Sequence, residues 1–301
     1  MWRWRRRPIY GSASFRVGYV PVRHLNAETP ASEQDGVGHI PGYVPDPLFD
    51  ENAMALPSRE THAFWFTVTP SRTATAGKTT MRVTVIPATG REAVRSVTVN
   101  LHDVTIRKRR NFRFMQWFNC DSLLDFYGCM AFDERFWTLF EAYARNQADH
   151  HQDVIHVPAL TPATDGVKRP VQLLKITKSG RHTYAFDWSD VKRYIDTAKA
   201  AGLRFFEWSH LFTQWGCKHA IHVYDGQGHD EKLLWKPDTP ATSTTYRRFL
   251  EQFLPALRAF TDQEGILKNS YFHISDEPHG DEHLLLYRKA RKLVREIAPW
   301  M

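Results

Sequence analysis

The chain has 301 residues, 42% hydrophobic and 24% charged, which is the composition of a folded globular protein with room for two domains. No run of about 18 apolar residues occurs, so the sequence offers no membrane-spanning helix. Three cysteines (Cys120, Cys129 and Cys217) are too few and wrongly spaced for a disulfide framework or a zinc motif, and they read as reduced, packed thiols.

The net charge of +7 comes from 40 Lys and Arg against 33 Asp and Glu, and most of the excess lies in two runs, Met1–Arg7 and Arg107–Arg110. Neither run is part of a recognisable nucleic-acid module, so they read as a solvated terminus and a linker, and no nucleic-acid partner is expected. The basic start has no apolar core behind it. It is not a secretory signal, and the expectation is a cytoplasmic protein with no membrane partner. The aromatic content, 13% with ten Trp, is high; aromatic planes stack on pyranose faces, although most aromatic side chains serve as core.

In chain order, residues 1–60 carry turn signals (Pro41-Gly42, Val44-Pro45-Asp46-Pro47) and no sustained period, which predicts an irregular N-terminal segment. Residues 61–110 contain β-branched alternating runs, His62–Val68, Thr80–Ile86 and Ala93–Leu101, separated by turn residues. They predict a small, partial β-sandwich. From 111 to 301 strand and helix patterns alternate. Phe112–Phe118, Val154–Val157, Leu203–Trp208 and Ser270–Ser275 read as strands. Asp133–Asp149, Asp190–Ala201, Thr244–Asp262 and His283–Ile297 read as helices, with Phe136, Leu139, Phe140 and Tyr143 spaced along one helical face. Gly202 stands where a helix end favours a left-handed residue. The alternation predicts a parallel sheet with helical crossovers, either doubly wound or a (β/α)8 barrel. No glycine-rich phosphate loop follows the first strand, and long polar, aromatic segments follow later ones, which favours the barrel.

Two segments carry the chemistry. In Phe272-His273-Ile274-Ser275-Asp276-Glu277-Pro278 an apolar strand ends in adjacent carboxylates, at the position where barrel enzymes place catalytic groups. Two neighbouring acids repel, which favours one protonated and one ionised group and suits a general acid beside a charge stabiliser. The plainer alternative is an acidic first turn of the next helix. Glu207-Trp208-Ser209-His210-Leu211-Phe212-Thr213-Gln214-Trp215-Gly216 packs an acid, an imidazole, an amide and two indoles into the segment after the third strand. These groups bind hydroxyls and stack on sugars. Glu207, His210, Gln214, Trp215, His273, Trp235, Asn119 and Asp121 are therefore candidate substrate-binding residues. His219, His222 and His229 lack matched acids, and no metal site is expected there.

His210–Gly216 together with His273–Pro278 resembles glycoside hydrolase family 123 and relatives that carry a C-terminal domain of unknown function. Weaker matches are Thr161–Gly166, Arg169–Leu173 and Pro45-Asp46-Pro47-Leu48. The resemblance covers roughly residues 40–300. It implies an α/β fold with an N-terminal β-sandwich and a TIM-type (β/α)8 barrel, of which about four β/α units are present in this chain. It also implies a retaining β-N-acetylgalactosaminidase acting on glycans or glycoconjugates with terminal β-linked GalNAc, without cofactor. In that family the substrate's own 2-acetamido oxygen attacks the anomeric carbon. Carried over, Asp276 stabilises the acetamido group and Glu277 is the general acid/base. The family's catalytic domain runs past residue 301, so the chain reads as truncated, with weak or no activity alone and with exposed barrel edges that invite self-association. The alternative function is a non-catalytic carbohydrate-binding or inactive relative.

Overall fold

The computed structural model describes residues 10–23, 30, 42–71, 73–106, 112–162, 169–228 and 230–301. The basic runs Met1–Arg7 and Arg107–Arg110, Pro41, the 163–166 portion of the Thr161–Gly166 match and His229 lie outside these residues. The chain divides into two units, Met1–Arg107 and Lys108–Met301.

In the first unit, β1 (Tyr10–Val22) pairs antiparallel with β2 (Gly42–Phe49) on one side and β3 (Phe64–Pro70) on the other. The residues predicted irregular thus contain two strands, concealed by prolines that sit on them. β1 changes register between Val17 and Tyr19. Gly18 lies there because a Cβ would fall 2.4 Å from the Phe49 ring. β4 (Gly77–Val85) and β5 (Ala93–Leu101) form a separate hairpin. Along β5 only Val99 and Leu101 are even partly shielded. On β4, Thr79, Met81, Val83 and Thr84 are partly shielded, so one face of the hairpin is half-covered; among the described residues it bonds to no other strand, and where a small β-sandwich was expected there stand a three-stranded sheet and this separate hairpin.

The second unit holds the main core. After α1 (Cys120–Tyr127), the Asp133 carboxylate caps α2 (Glu134–Asp149) by accepting the Phe136 N–H at 2.7 Å. The inward stripe of α2 stacks Phe140 on Tyr194 of α3 (Ser189–Ala201), with centroids 4.0 Å apart. Gly202, with φ of 107°, ends α3 as its sequence position predicts. Ser243 caps α4 (Thr244–Gln263), which buries Tyr246, Phe249, Phe253 and Leu257. Each such side chain taken fully from water contributes about 1.5–3 kcal/mol before entropy is charged against it. α5 (Gly280–Ile297) closes the unit through Ala290, Leu293 and Val294.

The partial barrel of four β/α units is overturned. Among the described residues the parallel sheet has three short strands, in the order β11 (Ser270–Tyr271), β9 (Phe205–Trp208), β6 (Val154–Val157). Beside it stands an antiparallel sheet of β10 (Gly226–Gly228), β7 (Val171–Lys178) and β8 (Tyr184–Asp187), and no closed barrel forms. The physical reason lies partly in Phe112–Phe118. That run reads as a strand but makes no continuous ladder. Its N–H groups are taken by side chains, Phe114 by Asp153 and Gln116 by Gln152, both at 3.3 Å. β7 pairs antiparallel with β8 and β10 and not with β6, and its Gln172 side chain, fully buried, bonds the Leu174, Tyr224 and Gly226 carbonyls.

Candidate active site

The register of the parallel sheet places His156 opposite Glu207, and Glu207 opposite Tyr271. Beyond the C-terminal ends of β9 and β11 the two exiting segments stay side by side. Leu211 N–H bonds the His273 carbonyl at 3.2 Å, Phe212 that of Ile274 at 3.0 Å, and Trp215 that of Asp276 at 3.1 Å. The Ser275 hydroxyl donates to the Thr213 carbonyl at 2.8 Å. The two chemically dense stretches of sequence are therefore zipped together by backbone.

This zipper brings each acid a donor from the facing segment. Gln214 Nε2 donates to Asp276 Oδ2 at 3.2 Å, and Trp215 Nε1 donates to Glu277 Oε2 at 3.0 Å. Asp276 is half-buried and Glu277 is exposed at the rim. Trp215 and Glu277 both adopt left-handed backbone, with φ of 55° and 46°, as does Cys217 at 57°. Non-glycine residues rarely stay there unless their surroundings force it, and such strain gathers at functional sites. Gly216 between them has φ of 100°, and a Cβ on it would meet the His283 ring at 2.6 Å. Only glycine fits.

Beneath the pair lies a buried polar floor. Glu207 is 3% exposed; its Oε1 pairs with His273 Nε2 at 2.6 Å, and its Oε2 accepts the Trp117 indole N–H at 3.1 Å. His210, 4% exposed, packs edge-on against both His273 and Trp117, with centroids 4.9 and 5.4 Å away. The Glu207 hydrogen bond raises the pKa of His273 against the opposing effect of burial, with the charges of Glu207 and Asp276 adding to it. Burial lowers that of His210, helped by the nearby His273 charge. His156, buried inside β6, falls to about 4, chiefly through loss of solvation. The arrangement is thus one imidazole whose protonated form a buried carboxylate favours, flanked by two rings whose neutral form burial favours. Cys217, behind the rim, is pushed up to about 11 by burial and takes no part as a nucleophile.

Of the residues singled out in the sequence, Glu207, His210, Gln214, Trp215, His273, Asp276 and Glu277 come together here. Asn119 and Asp121 do not join the hydrogen bonds of the acid pair: Asn119 sits at the N-terminus of α1 and Asp121 in its first turn, next to the positive end of the helix. Trp235 is buried. Its indole N–H goes to the Ile221 carbonyl and its ring packs on Tyr246 and Phe249, so neither face is open to a sugar. Trp117 and His156 were not singled out. The signal for His156 is a polar residue inside an otherwise apolar, wholly buried strand.

Residues 117–301 match the catalytic domain described as glycoside hydrolase 123, and the chain belongs to that family. A solved structure of a family 123 glycoside hydrolase from Clostridium perfringens, described in terms of glycolipid glycan hydrolysis, superposes with a TM-score of 0.70 at 12% identity. The alignment covers 96% of this chain and 49% of that one, so this chain spans about half the length of that relative. No curated protein matches.

Proposed function

We propose that this chain carries the acid pair of a retaining glycoside hydrolase that cleaves β-linked N-acetylgalactosamine with help from the sugar's own 2-acetamido group. The observation that supports this most directly is the Asp276–Glu277 pair at the sheet's C-terminal rim, each acid held by a donor from the facing segment. In this reading Glu277, protonated, gives its proton to the departing glycosidic oxygen while the acetamido oxygen attacks the anomeric carbon. The bond to the aglycone breaks and an oxazolinium-like ring forms. Asp276 accepts the acetamido N–H and stabilises the positive charge as it develops. Glu277, now a carboxylate, removes a proton from water; that water opens the ring and restores the configuration. The neighbouring amide replaces an enzyme nucleophile, so no second carboxylate at the usual retaining spacing is needed. The exposed Trp215 ring, 47% accessible, is a platform for the sugar face, and Gln214 is the neighbouring amide.

The test is turnover of an aryl β-N-acetylgalactosaminide by the purified chain and by Glu277→Gln, with the anomer of the first product read by NMR. The reading expects slow hydrolysis with retention in the parent, in keeping with the weak activity expected of the chain alone, and a loss of about a thousandfold or more in the variant. Equal rates in the two proteins, or an inverted product, would overturn it.

A further inference from the structure

The floor under the acid pair has features that an ordinary hydrogen-bonded core lacks. Ligand-type atoms of Glu207, His210 and His273 all lie within 4.8 Å of one another. Two of the three residues are almost wholly buried, at 3% and 4% exposure. Among the described residues, the buried His210 Nε2 has no hydrogen-bond partner, and neither does Nδ1 of His156, which faces Glu207 across the ladder. A buried ring nitrogen without a partner is costly to leave unpaired, and two of them beside one carboxylate call for a ligand.

We propose that Glu207, His210 and His273 form a binding site for one divalent transition cation of the zinc class, with a fourth coordination position left to solvent or substrate oxygen. Two imidazoles and a carboxylate are the donor set that borderline cations prefer, whereas magnesium and calcium favour oxygen alone. Binding takes away the hydrogen between His273 Nε2 and Glu207 Oε1, which leaves for solvent from a protonated ring or moves to Nδ1 in a neutral one. Those two atoms then separate from 2.6 Å to about 3.3 Å, the edge of a tetrahedron with bonds of about 2.0–2.1 Å. His273 is the residue free to make that shift, since its side chain is 38% accessible while Glu207 is fixed by Trp117. The Trp117 indole N–H on Glu207 Oε2 is the kind of outer hydrogen bond that orients a ligating carboxylate. The His279–His283 pair differs: its rings are 4.5 Å apart, His279 is exposed and His283 only half-buried, and it is not among the clusters of ligating side chains that the described residues form.

The experiment is titration of the chelator-treated chain with zinc chloride by calorimetry, with bound metal counted by mass spectrometry and melting followed in parallel. Expected are one ion per chain, a raised Tm, and affinity reduced about a hundredfold in His210→Ala and in the half-exposed His273→Gln, the second serving if the first does not fold. His279→Ala should bind as the parent does, and magnesium chloride should produce no saturable signal. Absence of saturable zinc binding, binding unchanged in His273→Gln, or loss of it in His279→Ala would overturn the site. None of these readouts needs glycoside cleavage, so the metal site stands or falls separately from the hydrolase reading.

Discussion

Trp215 donates its indole N–H to the very carboxylate, Glu277, that carries the proton in the proposed reaction, and both residues hold left-handed backbone to reach each other. Trp215 is thus both a face for the sugar and a clamp on the acid. The two roles separate in Trp215→Phe, which keeps an aromatic ring but removes the donor. A hydrogen bond to a charged group contributes about 1.5–3 kcal/mol, and the exposed setting places this one at the lower end. kcat should fall about tenfold while KM changes little. A rise in KM with kcat intact would mean that the indole acts on the sugar alone.

Gly216 is required twice, by its φ of 100° and by the His283 ring 2.6 Å from any added Cβ. Gly216→Ala should destabilise the chain by about 1–3 kcal/mol in urea unfolding. Adding His283→Ala removes the collision and leaves the backbone cost, so a double-mutant cycle should show a coupling of at least about 0.5 kcal/mol. Strict additivity would show that the loop backs away from His283 without penalty.

Asp187, just ahead of α3, accepts the Ser189 N–H at 3.0 Å, and that bond with the Ser189 side chain pulls its pKa below the usual carboxylate range. A lowered folded-state pKa means stability that is present above the unfolded value and lost as pH falls through the folded one. Asp187→Ala should therefore cost about 0.5 kcal/mol near neutrality, a figure already reduced for solvent exposure. The gap between parent and variant should close below about pH 4. A constant gap from pH 7 to pH 2 would show that ionisation of Asp187 contributes nothing.

The helices were the most legible part of the sequence, because their apolar spacing is long and their stops, such as Gly202, have a local stereochemical cause. The chemical importance of Glu207–Gly216 and His273–Pro278 was also readable, since each stretch lies at the C-terminal end of a parallel strand; their backbone pairing was not. Nor were the sheets themselves. β1 and β2 hide behind prolines, and the alternation in Phe112–Phe118 is satisfied by Asp153 and Gln152 side chains instead of a neighbouring strand. Likewise, four strand-and-helix alternations do not reveal that β7 pairs antiparallel with β8 and β10, a pairing in which Gln172 bonds carbonyls more than fifty residues away. Trp235 failed as a sugar platform for a similar reason: a lone tryptophan in sequence looks the same whether its faces meet protein or water.

Ser209 joins three backbone groups, accepting the Leu160 N–H and lying in donor range of the Val157 and Leu160 carbonyls, while Leu173 and Leu174 bond back to Pro158 and Ala159. The chain on both sides of residues 163–168 is consequently moored to the sheet by bonds that do not involve what lies between. One hydroxyl beyond the end of β9 and two backbone bonds thus tie the segment leaving β6 to the start of β7, so the three strand ends share a single fastening.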